Sequence, residues 1–314
     1  MSSVPAYALR FVQYLDLMLL FGLPLFSWYG LRRTVPGGDP WLPLPRSALS
    51  LALLVSAVFG VLLTGIDVVF KTTEIMGMSI TELDRASLGW YLFETGAGRA
   101  ALARTALLIV LIAFLGWQSC REERSFFSPL VTALAGCALL TLAWNGHAAA
   151  GEGAPGVLRL AAGIAHLLAA GGWIGAIAAF LMILLRRSTS AKSNSPQLLH
   201  QMLQAFSGPG TIFVGVLVAT GIMHYGDLTG WSAAPLFHSV HGKLLLVKLA
   251  LFAAMLSLAA LHRWRLVPRL EQEILAGDGT RSMHALRQSV AIEAMIAVLI
   301  VISVSVLGTF SPHG

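Results

Sequence analysis

The chain has 314 residues, of which 56% are hydrophobic and only 11% charged, and its mean hydropathy is +0.76. Soluble domains carry about 25% charged residues, so this composition excludes a soluble globular protein. The net charge of +6 is spread over loops rather than gathered into a basic domain, which argues against a nucleic-acid partner.

A bilayer core takes about 20 apolar residues per helix, and the sequence offers eight such runs. They are expected at 6–30, 47–70, 98–118, 129–147, 156–185, 202–225, 241–263 and 286–310. The predicted fold is therefore all-α: a polytopic membrane protein, one transmembrane domain over 1–314, built as a bundle of eight helices in the lipid bilayer. The first run has no basic segment before it and is followed by Arg32 and Arg33, so it reads as a retained helix rather than a cleaved signal. The segment after the second run, KTTEIMGMSITELDR, is polar and is expected to lie at the membrane surface. Cys120 and Cys137 fall at different depths of their helices and form no CxxC pair.

Orientation follows from the basic loops. Arg32, Arg33, Arg46, Arg121, Arg124, Arg186, Arg187, Lys192, Arg263, Arg265, Arg269, Arg281 and Arg287 all fall in loops on one side. The positive-inside rule puts that side in the cytoplasm and both termini outside. In this frame His147, His224, His238 and His241 lie at the outer face, and His166 lies about 15 Å below it. His200, His262 and His284 face the cytoplasm.

The stretch TLAWNGHAAAGEGAPGVLRLAAGIAHLLAAGGWIG (141–175) is the organising feature. It closes one helix near His147, crosses a glycine-rich turn and carries His166 into the next helix. An ionisable side chain inside an apolar helix marks a functional position, whereas a rim histidine can simply meet water and headgroups. Asp16, Asp67, Arg104 and Lys248 fall at similar depth and are expected to pair across helices. Glu293 lies within one or two turns of Arg287, and Trp173 and its neighbouring glycines read as close packing.

Five segments, in order, carry a family resemblance: HLLAAGGWIGA (166–176), FSGPGTIFVGVLVATGIMHY (206–225), HGKLLLVKLAL (241–251), LHRWRLVPRL (261–270) and LRQSVAIEAMIAVLIVISVSVLGTFSP (286–312). Together they resemble the copper resistance D (CopD/PcoD) family, mainly from Asn145 onward, with GAGRAALAR (96–104) a weaker match. The chain departs from the family's pattern at His262, where asparagine is expected, and at His241, which is often tyrosine. The resemblance implies a multi-pass bacterial inner-membrane protein that handles copper beside a periplasmic copper-binding partner.

Copper accepts imidazole, thioether and, as copper(II), carboxylate donors. His147, His166, His224 and His241 are the candidate ligands, with Met223 or Asp67 as an extra donor and His238 one turn from His241. Met76 and Met78 form a Met-x-Met pair that suits copper(I), although methionine is also adaptable interfacial filler. The sequence shows no catalytic triad pattern, Walker loop or dinucleotide fingerprint, so the expectation is a non-enzyme moving copper inward by passive or ion-coupled means. Two alternatives stay open. One is a haem b electron-transfer protein ligated by outer histidines; the other is a non-conducting scaffold for a periplasmic copper chaperone.

Overall fold

The computed structural model describes residues 4–31, 46–120, 129–145, 153–185, 196–230, 236–237, 239–276 and 280–307, and these are helical with short turns and no strand. Helix α1 spans Val4–Phe26 and runs into a wide π-helical turn, Ser27–Leu31. Pro24 removes one helical N–H there, and the Ser27 hydroxyl donates to the Pro24 carbonyl at 2.6 Å. Helix α2 spans Arg46–Met76. Gly77, at φ 65°, stops it in the left-handed region, and Met78 N–H returns to the Thr73 carbonyl at 3.1 Å. That is the glycine-terminated helix end expected on backbone grounds.

The polar segment after α2 is more ordered than its sequence suggests. Its first residues extend α2 by six residues beyond Phe70, because Lys71 pairs one turn back with Asp67 at 3.0 Å. The rest forms a tight turn, Ile80–Glu82, and a short helix α3, Arg85–Glu94, which the apolar-run reading did not place. Ser79 N–H donates to Glu82 Oε2 and Ser87 N–H donates to Asp84 Oδ1, both at 2.8 Å. These bonds hold the exposed Glu82 and Asp84 carboxyls below their ordinary values of 4.5 and 3.8.

Helix α4 spans Gly96–Cys120, and α5 spans Pro129–Leu140 before tightening into a 3₁₀ turn, Thr141–Asn145. The second half contains α6 (Gly153–Leu185), α7 (Pro196–Thr229) and α8 (Val240–Leu261). A π-helical turn, His262–Leu266, joins α8 to α9 (Val267–Leu275), and α10 spans Thr280–Leu307. Among the described residues seven helices are long and apolar enough to cross a membrane; the segment Pro129–Asn145 is shorter than these. The described residues thus give seven full-length spans and one shorter apolar segment where eight runs are expected.

Side-chain bonds fix how neighbouring helices run. At one end Arg10 meets the Asn145 carbonyl and Arg159 pairs with Asp227. At the other Ser50 meets Ser119 and His262 meets Ser289. The first of these ends, where α1, α6 and α8 begin, is the outer end in the topology expected from the basic loops. Leu17, Leu20, Leu108, Leu111 and Leu139 form the core of the first half, among α1, α2, α4 and α5. Ala169, Trp173, Leu217, Met255 and Ala297 form that of the second, among α6, α7, α8 and α10. The outward faces carry exposed Leu51, Leu62, Ile109, Ile212 and Ile302, as lipid contact requires.

The two halves meet where α1 lies against α6. Any Cβ on Gly22 would collide with the Gly171 carbonyl, and one on Gly175 would collide with the Gly22 backbone. Small residues at such a crossing let two helices pack backbone to backbone. Gly22→Ala and Gly175→Ala are each expected to destabilise the bundle by about 1–3 kcal/mol, read as a lower unfolding temperature in detergent. Gly215→Ala, whose Cβ meets nothing within 4 Å, should leave it unchanged.

The capped start of α3 gives a second expectation. A lowered carboxyl contributes stability above its unfolded value and loses it as pH falls through its folded value. Hydrogen-exchange protection across 85–94 should drop below about pH 4, and also at neutral pH in Asp84→Ala, while the spans keep theirs.

Candidate metal centre

Helix α6 is apolar over its whole inner stretch and carries a single ionisable side chain between Leu160 and Leu185, His166. The ring is half-buried, and its Nδ1 lies 2.8 Å from the Thr220 hydroxyl of α7. Thr220 is one turn from the Val216 carbonyl and donates to it at 2.6 Å. A hydroxyl has one proton to give, so Thr220 accepts from His166 Nδ1–H. The lone pair of His166 is therefore on Nε2, the tautomer that a metal ligand with an outer hydrogen-bond partner adopts.

One helical turn after Thr220 comes His224, whose ring lies 6.1 Å from that of His166, centroid to centroid, with the planes at 77°. Both rings open into a cavity of about 830 Å³ lined by α1, α6, α7, α8 and α10. His241, buried in the first turn of α8, lines the same cavity, as do Lys248 and Met255 of α8 and Met18 of α1. Ser239 caps that turn by accepting from Gly242 N–H at 2.9 Å. The remaining wall is aliphatic and aromatic, including Trp173, Leu217 and Phe252.

The expected ligand set is thus gathered in part. His166, His224 and His241 share one cavity; His147 and His238 lie outside the described residues. Among the described residues no three His, Cys, Asp or Glu side chains stand close enough to enclose a metal ion. Met223 is half-buried beside His224 and is not one of the cavity-lining residues. Asp67 is engaged with Lys71 on α2; Met76 is exposed at that helix's end, and Met78 is half-buried just beyond it. Helix α2 packs on α1, α3 and α4, so these three residues belong to the other half of the bundle.

The expected cross-helix charge pairing is met only between Arg104 and its electrostatic neighbour Asp67; no direct ion pair joins the four groups among the described residues. Asp16 accepts from the Ser56 hydroxyl at 2.7 Å, and Asp67 bonds within its own helix. Arg104 is fully buried; its Nε donates to Thr141 at 2.8 Å, with Asp67, Tyr14 and Tyr91 as electrostatic neighbours. Lys248 forms no ion pair among the described residues and faces the cavity instead. Glu293 turns from Arg287 toward Trp173 and His262. Three contributors were missed by sequence reasoning: Thr220, four residues before His224, Tyr14, and Trp173, seven after His166. The spacings of four and seven place Thr220 and Trp173 on the same helix faces as the histidines, which is the signal that could have found them.

A bundle with apolar outer faces around an imidazole-lined cavity defines a polytopic membrane protein with donors suited to a soft or borderline metal. The comparisons give the class its family. Residues 1–157 match the family described as Copper resistance protein D-like, N-terminal domain, and residues 200–307 match Copper resistance protein D. The chain belongs to the copper resistance protein D family. It is 34% identical to Copper resistance protein D of Pseudomonas syringae pv. tomato, over 100% of this chain and 98% of that one. Identity to Inner membrane protein YebZ of Escherichia coli (strain K12) is 27%, over 97% of each chain. A 177-residue stretch, 54% of this chain, is 34% identical to 31% of Copper transport protein CutJ of Bacillus subtilis (strain 168). No solved structure matches at a significant level. The likeness extends through the first half, beyond the segments that carry it by eye. The protein is a copper-related, multi-pass inner-membrane protein.

Lys248 provides a test of the cavity itself. A lone ammonium in an apolar site costs about 2–3 kcal/mol, whereas a paired one leaves an orphaned acid when removed. Lys248→Met should therefore raise the unfolding temperature in detergent. A lowered value would mean that Lys248 has an acidic partner.

Proposed function

We propose that the protein accepts copper at the periplasmic face and passes it inward, with His166, His224 and His241 as donors at the outer end of the cavity. The observation that carries this reading is the His166–His224 pair, with the His166 lone pair fixed on Nε2 by Thr220 and both rings open to one cavity. His147 and His238 are further candidate donors from the adjoining outer segments. Lys248 in the same wall favours a singly charged ion, since Coulomb repulsion doubles for copper(II). Copper(I) is also the state that imidazole and the nearby thioethers Met18 and Met255 suit. Copper is the cargo here; the chain is read as a carrier, not an enzyme.

The bundle is read as one transmembrane domain of eight crossings, because α1 packs on both α2 and α6. The short segment supports an eighth crossing: 12 residues of α5 and 5 of 3₁₀ turn span about 28 Å, close to a hydrocarbon core of about 30 Å. Copper delivery by a periplasmic copper-binding partner is part of the same reading.

Replacing His166, His224 or His241 by alanine should weaken copper(I) binding about tenfold or more, and Thr220→Val about tenfold through loss of the outer hydrogen bond. Chelator competition on purified protein measures both, and copper flux into proteoliposomes measures transport. Wild-type binding in all three histidine variants would place the site elsewhere, with Met76–Met78 next in line. Binding without flux would instead favour a non-conducting scaffold.

A second reading is favoured by the same cavity. Two imidazoles 6.1 Å apart in an apolar space of about 830 Å³ with a buried lysine also suit a haem b with its carboxylates. A Soret band in the purified protein that shifts on dithionite addition would select this reading over copper.

A further inference from the structure

Helices α7 and α8 follow one another in the chain, yet they do not pack together as their neighbours do. Helix α7 packs on α6 and α9, and α8 packs on α10. The two are joined at one end, where Arg263, in the turn after α8, donates to the Thr211 hydroxyl of α7 at 3.0 Å. Farther along, Val218 and Ile222 of α7 and Leu249 of α8 line the cavity and are still 39%, 54% and 48% exposed. Gly221 lines the cavity beside Ile222, and a Cβ there would meet nothing within 4 Å. The cavity therefore opens sideways between α7 and α8, onto an apolar face of the bundle.

The lining divides by polarity. Its basic groups, His166, His224, His241 and Lys248, stand toward the end where α6 and α8 begin, and the deeper wall is apolar, including Leu217, Phe252 and Met255. Among the described residues no Asp or Glu lines the cavity. Asp227, three residues beyond His224, is taken by Arg159. Lys248 is half-buried and has no ion pair among the described residues. Charge in the hydrocarbon core is costly, so the cavity lacks one negative charge. A mostly apolar pocket of about 300–1,000 Å³ with a few convergent polar groups is the usual form of a small-molecule site.

One negative charge on an apolar chain answers both parts of the lining. Lys248 follows Val240 by eight residues, about 12 Å along α8. A headgroup layer is only about 5–8 Å thick, so a glycerophospholipid that reached Lys248 would have to draw its phosphate out of that layer. A fatty-acid carboxylate carries no such head, and its chain can pass through the opening between α7 and α8. A neutral ring such as a quinone would leave the ammonium unanswered.

We propose that the cavity binds a long-chain fatty-acid carboxylate, which enters from the bilayer between α7 and α8 and pairs its head with Lys248. Opposite charges attract strongly in so apolar a setting, and the His224 ring can add an N–H donor. The chain lies along the apolar wall. The proposal does not rest on the copper reading, and His166 Nε2 takes no part in it.

The test uses the full chain, stripped of copper by a chelator and reconstituted in phosphatidylcholine nanodiscs. The probe is a palmitate analogue with a photoreactive diazirine in its chain. Saturable labelling, mapped by mass spectrometry, is expected on peptides of α7 and α8, displaced by unlabelled palmitate and not by methyl palmitate. Lys248→Met should weaken it about tenfold or more, and Lys248→Arg should largely keep it. Gly221→Leu, which fills the opening and leaves Lys248 in place, should lower it as well; gel filtration checks the fold of each variant. Palmitate should also raise the unfolding temperature of the wild type in detergent and not that of Lys248→Met. Equal labelling of wild type and Lys248→Met, or equal displacement by methyl palmitate, would overturn the proposal and leave only lipid contact with an apolar face. Displacement by a ubiquinone and not by palmitate would overturn it in favour of a neutral ring. Neither result touches the copper site, which its own histidine variants test.

Discussion

The close crossing of α1 and α6 is the constraint on which the rest of the bundle depends. Gly22, Gly171 and Gly175 bring the two backbones into direct contact, and in lipid such packing does the work that hydrophobic burial does in water. Helix α6 is thereby fixed in the middle of the molecule, against α1 on one side and α7 and α10 on the other. Its N-terminal half presents His166 to α7, and Trp173 further along faces α10. Both polar contacts inherit their depth from that crossing.

The two halves of the bundle treat buried polarity differently. In the first, Asp67 pairs with Lys71, and Asp16 and Arg104 each have one neutral hydroxyl partner, Ser56 and Thr141. In the second, His166, His224, His241 and Lys248 converge on an apolar cavity. A cavity lined by polar groups suits a ligand that arrives and leaves. The family match follows the same division, with one segment ending at 157 and the other beginning at 200.

Much of this was legible in the sequence because bilayer thickness converts directly into run length. Hydropathy located the helices, and the apolar setting of His166 marked it as a candidate position. The family resemblance, carried by motifs around His166, His224 and His241, was legible too. What hydropathy could not show was direction around each helix. Lys248 has no acidic partner among the described residues, because similar depth says nothing about which face a side chain occupies. Helix α3 was missed because its start depends on the Asp84 cap rather than on an apolar run. Trp173 looked like ordinary packing and Thr220 was passed over, since their contacts arise only when a second helix supplies Glu293 or His166.

The central claim is that copper is held by imidazole nitrogen in the second half of the bundle. X-ray absorption of the purified protein loaded with one copper(I) ion tests it most directly. The account predicts a first shell of nitrogen with the outer-ring scattering of at least two imidazoles. A shell dominated by sulfur would contradict it and move the ion to the methionines.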